Sequence, residues 1–288
     1  MAIPFPAIDT VAIRLGPVDL PGIGAVGPLQ IRWYGLAYLA GLVLGWLYMR
    51  RLLKTPELWR GAPPMKPEQV DDFLLWATLG TVVGGRMGFI LLYEPSLFLH
   101  NPARIFRVWE GGMAFHGGLI GVVLAMVLFA RTNKVPLLSL GDLAGAAVPF
   151  GLLFGRLANF INGEMYGRLT DVPWAVEFPA RFLDSSHAFG PRHPTQLYEA
   201  LLEGVALLLT LRYFTHSRHS LKQPGFTAGL FLFGYGAARI GVEFFKEWDY
   251  QQFFTTAYFS EGMIYSLPML LAGTFLMARA VRWQAIPA

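Results

Sequence analysis

The sequence predicts an all-α integral membrane protein with about seven transmembrane helices. Three observations carry this expectation. The 288 residues are 54% hydrophobic, with a mean hydropathy of +0.44. Charged residues make up 15%, against roughly 25% in ordinary soluble domains. Apolar runs of about 20 residues recur along the whole chain, the length at which a helix crosses a hydrocarbon core.

The expected spans are 33–50, 73–93, 113–131, 140–161, 196–214, 226–245 and 261–281. The first is followed by Arg50, Arg51, Lys54, Arg60 and Lys66. The second carries Arg86 in GTVVGGRMGF, and the residues after it, 94–112, read as an amphipathic piece lying in the interface. The third opens on His116 in WEGGMAFHGGLIG and is followed by Arg131 and Lys134. The fourth ends in GRLANFINGE, where Asn162–Gly163 is a helix-stop signal. Loop 162–195 is rich in Pro, Gly and aromatic residues and reads as a small ordered cap inserted in a single membrane domain, 1–288. The fifth span carries Glu199 and Glu203, and Arg212, Arg218 and Lys222 lie at its far end. The sixth carries Tyr235, Arg239 and Glu243, and the seventh ends near Arg279 and Arg282. The first 30 residues are broken by Pro and Gly, lie on the cap side, and lack the basic-then-apolar pattern of a cleaved signal.

Basic residues concentrate after the first, third, fifth and seventh spans, so those ends are expected to be cytoplasmic. The N-terminus is then outside and the C-terminus inside. Nucleic-acid binding gains no support, because the net charge of +4 is spread along membrane edges and forms no continuous stripe. The absence of cysteine excludes disulfides, thiolate metal ligation and a protein-borne thiol nucleophile. No HExxH, P-loop or G-x-S-x-G pattern is present, so metal, nucleotide and serine-hydrolase chemistry lack a motif.

Three arginines, Arg86, Arg156 and Arg239, lie inside apolar spans, where each costs about 2.5–3.5 kcal/mol to insert. One reading is that they pair with buried carboxylates such as Glu199, Glu203 and Glu243 and lock the bundle. The other starts from a surplus of buried positive charge, which points to an anionic ligand, and phosphate matches the guanidinium fork. His116, flanked by glycines, has an accessible ring with a reference pKa of about 6.5, suited to a general base. Tyr34 and Tyr235 are either interface-belt residues or site residues, and Tyr235 shares a helical face with Arg239.

The chain resembles the bacterial prolipoprotein diacylglyceryl transferase family. The matching pieces are RWYGLAYL (32–39), GGRMGF (84–89), FRVWEGGMAFHGGLIG (106–121), PFGLLFGRLANFINGEMYGR (149–168), RHPTQLYEALLEG (192–204) and FLFGYGAARIGVEFF (231–245). A departure falls at SEGMIYSLPM, where family members commonly carry Gln in place of Met263. The resemblance implies transfer of the diacylglyceryl group of phosphatidylglycerol to the lipobox cysteine thiol of a preprolipoprotein signal peptide. A thioether forms, glycerol phosphate leaves, and neither cofactor nor metal takes part. It further implies an inner-membrane enzyme with its site toward the periplasm and a periplasmic cap. Arg156 and Arg239 would hold the phosphate and His116 would be the candidate base. Tyr34, Arg86, Asn159, Asn162, Glu164, Gly167, Glu203, Tyr235 and Glu243 would surround the substrates. The rival class is a transporter for an anionic solute, which also uses intramembrane arginines. A scaffold with internally paired charges is the third.

Overall fold

A computed structural model describes residues 2–20, 24–96, 102–108, 111–183, 189–247 and 259–284. Among them are helical stretches at all the expected apolar segments: α1 (Trp33–Leu53), α2 (Gln69–Leu92), α3 (Phe115–Thr132) and α4 (Leu137–Asn162) in the first half. Next comes α5, in which Thr195–Glu199, a π-helical Ala200–Ala206 and Leu207–His216 follow without a break. Then come α6 (Phe226–Glu243) and α7 (Glu261–Gln284). Of these, α1, α2, α3, α4 and α7 are long and apolar enough to cross a membrane by length and composition.

Local chemistry sets the ends. Asp71 and Asp72 occupy the first turn of α2, and Arg50 and Arg51 the last turn of α1, each complementing the helix dipole. The stop expected at Asn162–Gly163 is where α4 ends. Gly163 adopts φ 67°, the left-handed cap that a glycine accepts without a Cβ penalty.

Small residues bring the helices together in antiparallel pairs. Gly80, Gly84 and Gly88 of α2 face Gly117 and Gly121 of α3 so closely that a Cβ would strike backbone. Gly41 of α1 meets Gly151 of α4, and Gly229 of α6 meets Gly273 of α7. Such close approach replaces the hydrophobic driving force that helices lack in lipid. Helix α4 is central, packing on α1, α5 and α6. Leu52, Val70, Phe129, Leu140, Leu143 and Leu221 form an apolar core at the end where α1 and α3 finish and α2 and α4 begin. The outward faces stay apolar and exposed, as with Leu75, Leu79, Leu119, Leu124, Leu271 and Phe275. A soluble protein would not leave so extensive a patch open to water.

The fold is mostly helical but not purely so, which corrects the all-α expectation. β2 (Val11–Leu15) pairs antiparallel with β5 (Leu29–Arg32), and β3 (Val18–Leu20) with β4 (Gly24–Val26). β1 (Ile3–Pro4) runs parallel to β6 (Val176–Glu177) of the loop after α4. These strands are too short, and too interrupted by Gly–Pro, for apolar periodicity to reveal them. Phe5 fixes the N-terminal segment, its ring centroid 5.3 Å from those of Phe160, Phe178 and Phe182. Of the expected interfacial piece 94–112, residues 97–101 and 109–110 lie outside the described set, as do 184–188 of the loop. Pro102–Phe106 forms a short 3-10 turn.

Candidate active site

The helices alternate in direction, so the C-terminal ends of α4 and α6 meet the N-terminal end of α5. Four charged side chains of α5 and α6 and one of α4 converge there. Arg156 of α4 donates Nε and Nη2 to Glu203 Oε2 at 3.2 and 3.1 Å, and its Nη1 lies 3.3 Å from Glu199 Oε2. Arg239 of α6 donates to Glu199 Oε1 and lies 3.7 Å from Glu203 Oε1 and 3.5 Å from Glu243 Oε2. Lys246, just past α6, places Nζ 2.7 Å from the same Glu199 oxygen.

Both carboxylates of α5 are fully buried, whereas the Arg156 and Arg239 side chains keep 14% and 17% of their surface. Each arginine is therefore paired with a fully buried carboxylate while part of its own side chain stays accessible. Arg156 Nη1 faces Met165 Sδ at 3.8 Å, a weak acceptor that an anionic oxygen would outcompete.

This arrangement corrects the surplus-charge argument. Arg156, Arg239 and Lys246 stand against Glu199, Glu203 and Glu243, so the cluster balances in formal charge. Burial is the reason, since an ionised group taken out of water has to be paired. Among the described residues, Arg86 makes its hydrogen bonds outside this cluster. It donates to the carbonyls of Ile105, Gly111 and Gly112 and anchors the chain entering α3.

The end of α4 adds a polar corner. Asn159 Nδ2 donates to Glu164 Oε1 at 2.7 Å and Asn162 Nδ2 to the same oxygen at 3.5 Å. Gln196 Nε2 donates to the Glu164 carbonyl at 2.5 Å, and Thr195 Oγ1 to that of Met165 at 2.8 Å. Gly167 is a backbone junction: its N–H donates to His193 O and its carbonyl accepts from Arg192 Nη1. A Cβ there would collide with Phe245 O, so no other residue fits. In the same loop His193 Nδ1 lies 3.0 Å from the Tyr198 hydroxyl, which accepts from Trp174 Nε1. Burial, together with the charge of Arg168, holds the His193 imidazole below its ordinary pKa.

Tyr34 is paired with Tyr38, hydroxyls 3.1 Å apart, within electrostatic range of Glu164 and Arg156. Tyr235 stacks on Phe231 within range of Glu203 and both arginines. His116 is exposed on the first turn of α3, its ring edge-on to Phe115 and Tyr265. Among the described residues no hydrogen bond or ion pair links it to Arg156 or Arg239. The structure thus joins Arg156, Arg239, Glu203 and Glu243 directly, sets Asn159, Asn162 and Glu164 beside them, and leaves His116 and Arg86 apart.

Sequence reasoning named Glu199 as a pairing partner for the arginines without placing it in the site, and did not place Lys246 or Gln196 there at all. A signal was present: Gln196, Glu199 and Glu203, spaced by three and four, form one fully buried polar stripe on α5.

A family model described as prolipoprotein diacylglyceryl transferase matches residues 21–279. A Rhizobium meliloti protein named phosphatidylglycerol–prolipoprotein diacylglyceryl transferase is 51% identical, over 95% of this chain and 98% of its own length. Proteins of the same name from Agrobacterium fabrum and Brucella ovis are each 47% identical, covering 96% and 99% of this chain and 94% and 96% of theirs.

Proposed function

The chain belongs to the prolipoprotein diacylglyceryl transferase family, and on that premise we propose how its polar cluster carries the reaction. The protein is a multi-pass membrane transferase that moves the diacylglyceryl group of phosphatidylglycerol to a prolipoprotein. Membership in this family removes the ground for the rival transporter reading.

The lipobox thiol gives its proton to a base, and its sulfur attacks the diacylglyceryl carbon bonded to the phosphate oxygen. A C–S bond forms, the C–O bond breaks, and glycerol phosphate leaves with the electron pair. Charge builds on the phosphate as that bond breaks, and fixed donors aimed at developing charge are usually the largest catalytic contribution. Arg156 and Arg239 are those donors. Glu199 and Glu203, buried behind them, hold both forks in place before substrate arrives. The observation that carries this reading is the convergence of two partly exposed arginines on one buried carboxylate pair. Phosphate recognition then rests on oriented donors and not on net positive charge.

His116 is the candidate base, supported by its exposed ring at the cap end of α3. A cysteine thiol of pKa about 8.5 needs modest help to ionise, so the base contributes less than the arginines. Asn159, Asn162, Glu164 and Gly167 shape the corner where the head group sits, with Tyr34 and Tyr235 on its flanks. Arg86 contributes from a distance by fixing the entry to α3.

All seven helical stretches cross the inner membrane, N-terminus toward the periplasm and C-terminus in the cytoplasm. Two features support this: the distribution of Lys and Arg, and the polar cluster lying at the end opposite the basic loops. Residues 162–195 form a periplasmic cap within a single domain and guide the peptide cysteine to the lipid. The test is incubation of the purified protein with phosphatidylglycerol vesicles and a lipobox peptide. Gain of one diacylglyceryl mass on the cysteine supports the reading, and an unmodified peptide overturns it.

A further inference from the structure

Asp142 lies near the start of α4, on the far side of the bundle from the arginines. It is fully buried, yet no basic side chain pairs with it among the described ion pairs. Its carboxylate instead accepts from the backbone of α6: Oδ2 from Gly225 N at 2.7 Å and Oδ1 from Ala228 N at 2.8 Å. Helix α6 has no capping side chain and no acid in its own first turn, so Asp142 serves its unpaired N–H groups and its positive end. Gly145, one turn along α4, completes the contact. A Cβ there would come within 3.3 Å of Ala228 Cα and of Phe231 Cβ, so α6 seats directly on α4. The Ser220 and Thr227 hydroxyls, both buried and 2.8 Å apart, fix the same end of α6.

The spacing gives this clamp a consequence. Arg156 follows Asp142 by fourteen positions, and Arg239 follows Gly225 by fourteen. α4 and α6 run in the same direction, and fourteen residues of helix rise about 21 Å. Two equal struts pinned together at the base bring both guanidiniums to one level at the top, where they share Glu199. A slip of α6 by one residue, about 1.5 Å along its axis, would break both bonds of Asp142 and separate the arginines.

We propose that Asp142 is a positioning residue, which sets the axial register of α6 against α4 and thereby the spacing of Arg239 and Arg156 on the lipid phosphate. The proposal rests on the phosphate role given above to those arginines. The register itself is measurable without it.

The absence of native cysteine allows a clean measurement. Gly155, beside Arg156, and Gly241, two residues past Arg239, have open space where a side chain would begin. Spin labels on Gly155→Cys and Gly241→Cys report the separation of the two helix ends by double electron–electron resonance. In the full-length protein in phosphatidylglycerol vesicles, Asp142→Asn keeps the side-chain shape but loses the charge and one acceptor. The expected result is a shifted or broadened label distance and a kcat about tenfold lower, as misplacement near 1 Å can cost up to 10²-fold. KM for the lipobox peptide stays within about twofold, since the peptide site is untouched. Asp142→Glu, which restores charge but not reach, is expected to fall between. If Asp142→Ala does not accumulate, the Asn and Glu variants carry the test alone. A wild-type kcat in Asp142→Asn overturns the proposal, and so does a lower kcat with an unchanged label distance. If the unsubstituted chain transfers nothing, the functional reading fails, while the label distance still decides the register.

Discussion

Arg156 reaches Glu203 side-on, two guanidinium nitrogens donating to one oxygen at 3.2 and 3.1 Å, with the carboxylate fully buried. The pair crosses from α4 to α5, and removing Glu203 takes from Arg156 its two shortest carboxylate contacts, leaving Glu199 to share between the cations and the buried cluster one carboxylate short. Glu203→Ala is therefore expected to destabilise the protein by about 3–5 kcal/mol, the usual result of breaking such a pair. Thermal unfolding of the purified protein measures it. A change below about 1 kcal/mol would mean the pair is solvated like a surface ion pair.

His116 stands apart from the arginines, so its contribution is separable. If it takes the thiol proton, His116→Gln lowers transfer at pH 7 by about 10²-fold, the low end of the range for a general base, because the thiol needs only modest help to ionise. The deficit should shrink toward pH 9, because the peptide thiol, of pKa about 8.5, then ionises unaided. A pH–rate profile of the variant parallel to that of the parent would remove His116 from the mechanism.

Two glycines give opposite expectations. Gly167→Ala drives a Cβ into Phe245 O, Thr195 and His193, and is expected to reduce both stability and transfer, the latter at least tenfold. Gly241→Ala meets nothing within 4 Å and lies in α6, where alanine is favoured over glycine by about 1 kcal/mol. It should be neutral or slightly stabilising. Unfolding midpoints of the two variants side by side provide the check.

His193 predicts a pH dependence in the loop after α4. Its folded pKa lies below the ordinary imidazole value of about 6.5, so on acidification the unfolded state binds a proton first. The sign follows: the loop's stability is intact above about pH 6.5 and declines as pH falls through and below that value. Hydrogen exchange of the amides of Gly167, Val176 and Arg192 at pH 7.5 and 5.5 reads this directly. His193→Asn should abolish the difference.

The sequence made Arg156, Arg239, Glu203 and Glu243 visible, since a charge inside an apolar run is costly wherever it points. It did not reveal which helix answers each charge. Glu199 joins three cations from three segments, and spacing along one helix cannot show contacts between helices. Arg86 looked equivalent to the other two arginines, but it donates to nearby carbonyls, and backbone acceptors leave no trace in composition. The helix stop at Gly163 was legible because a left-handed cap selects glycine. The strands before α1 were not legible, because pairs of two to five residues rest on backbone partners distant in sequence.

The central claim is that the Arg156 and Arg239 forks, oriented by Glu199 and Glu203, stabilise charge on the departing phosphate. Arg156→Lys and Arg239→Lys keep the charge and remove the fork. Single-turnover transfer from phosphatidylglycerol to a lipobox peptide, at saturating lipid, is the most direct measurement. Each variant is expected to lose about 10²–10³ in rate, the cost of removing one oriented donor, while still binding lipid. Full rate in either lysine variant would contradict the account.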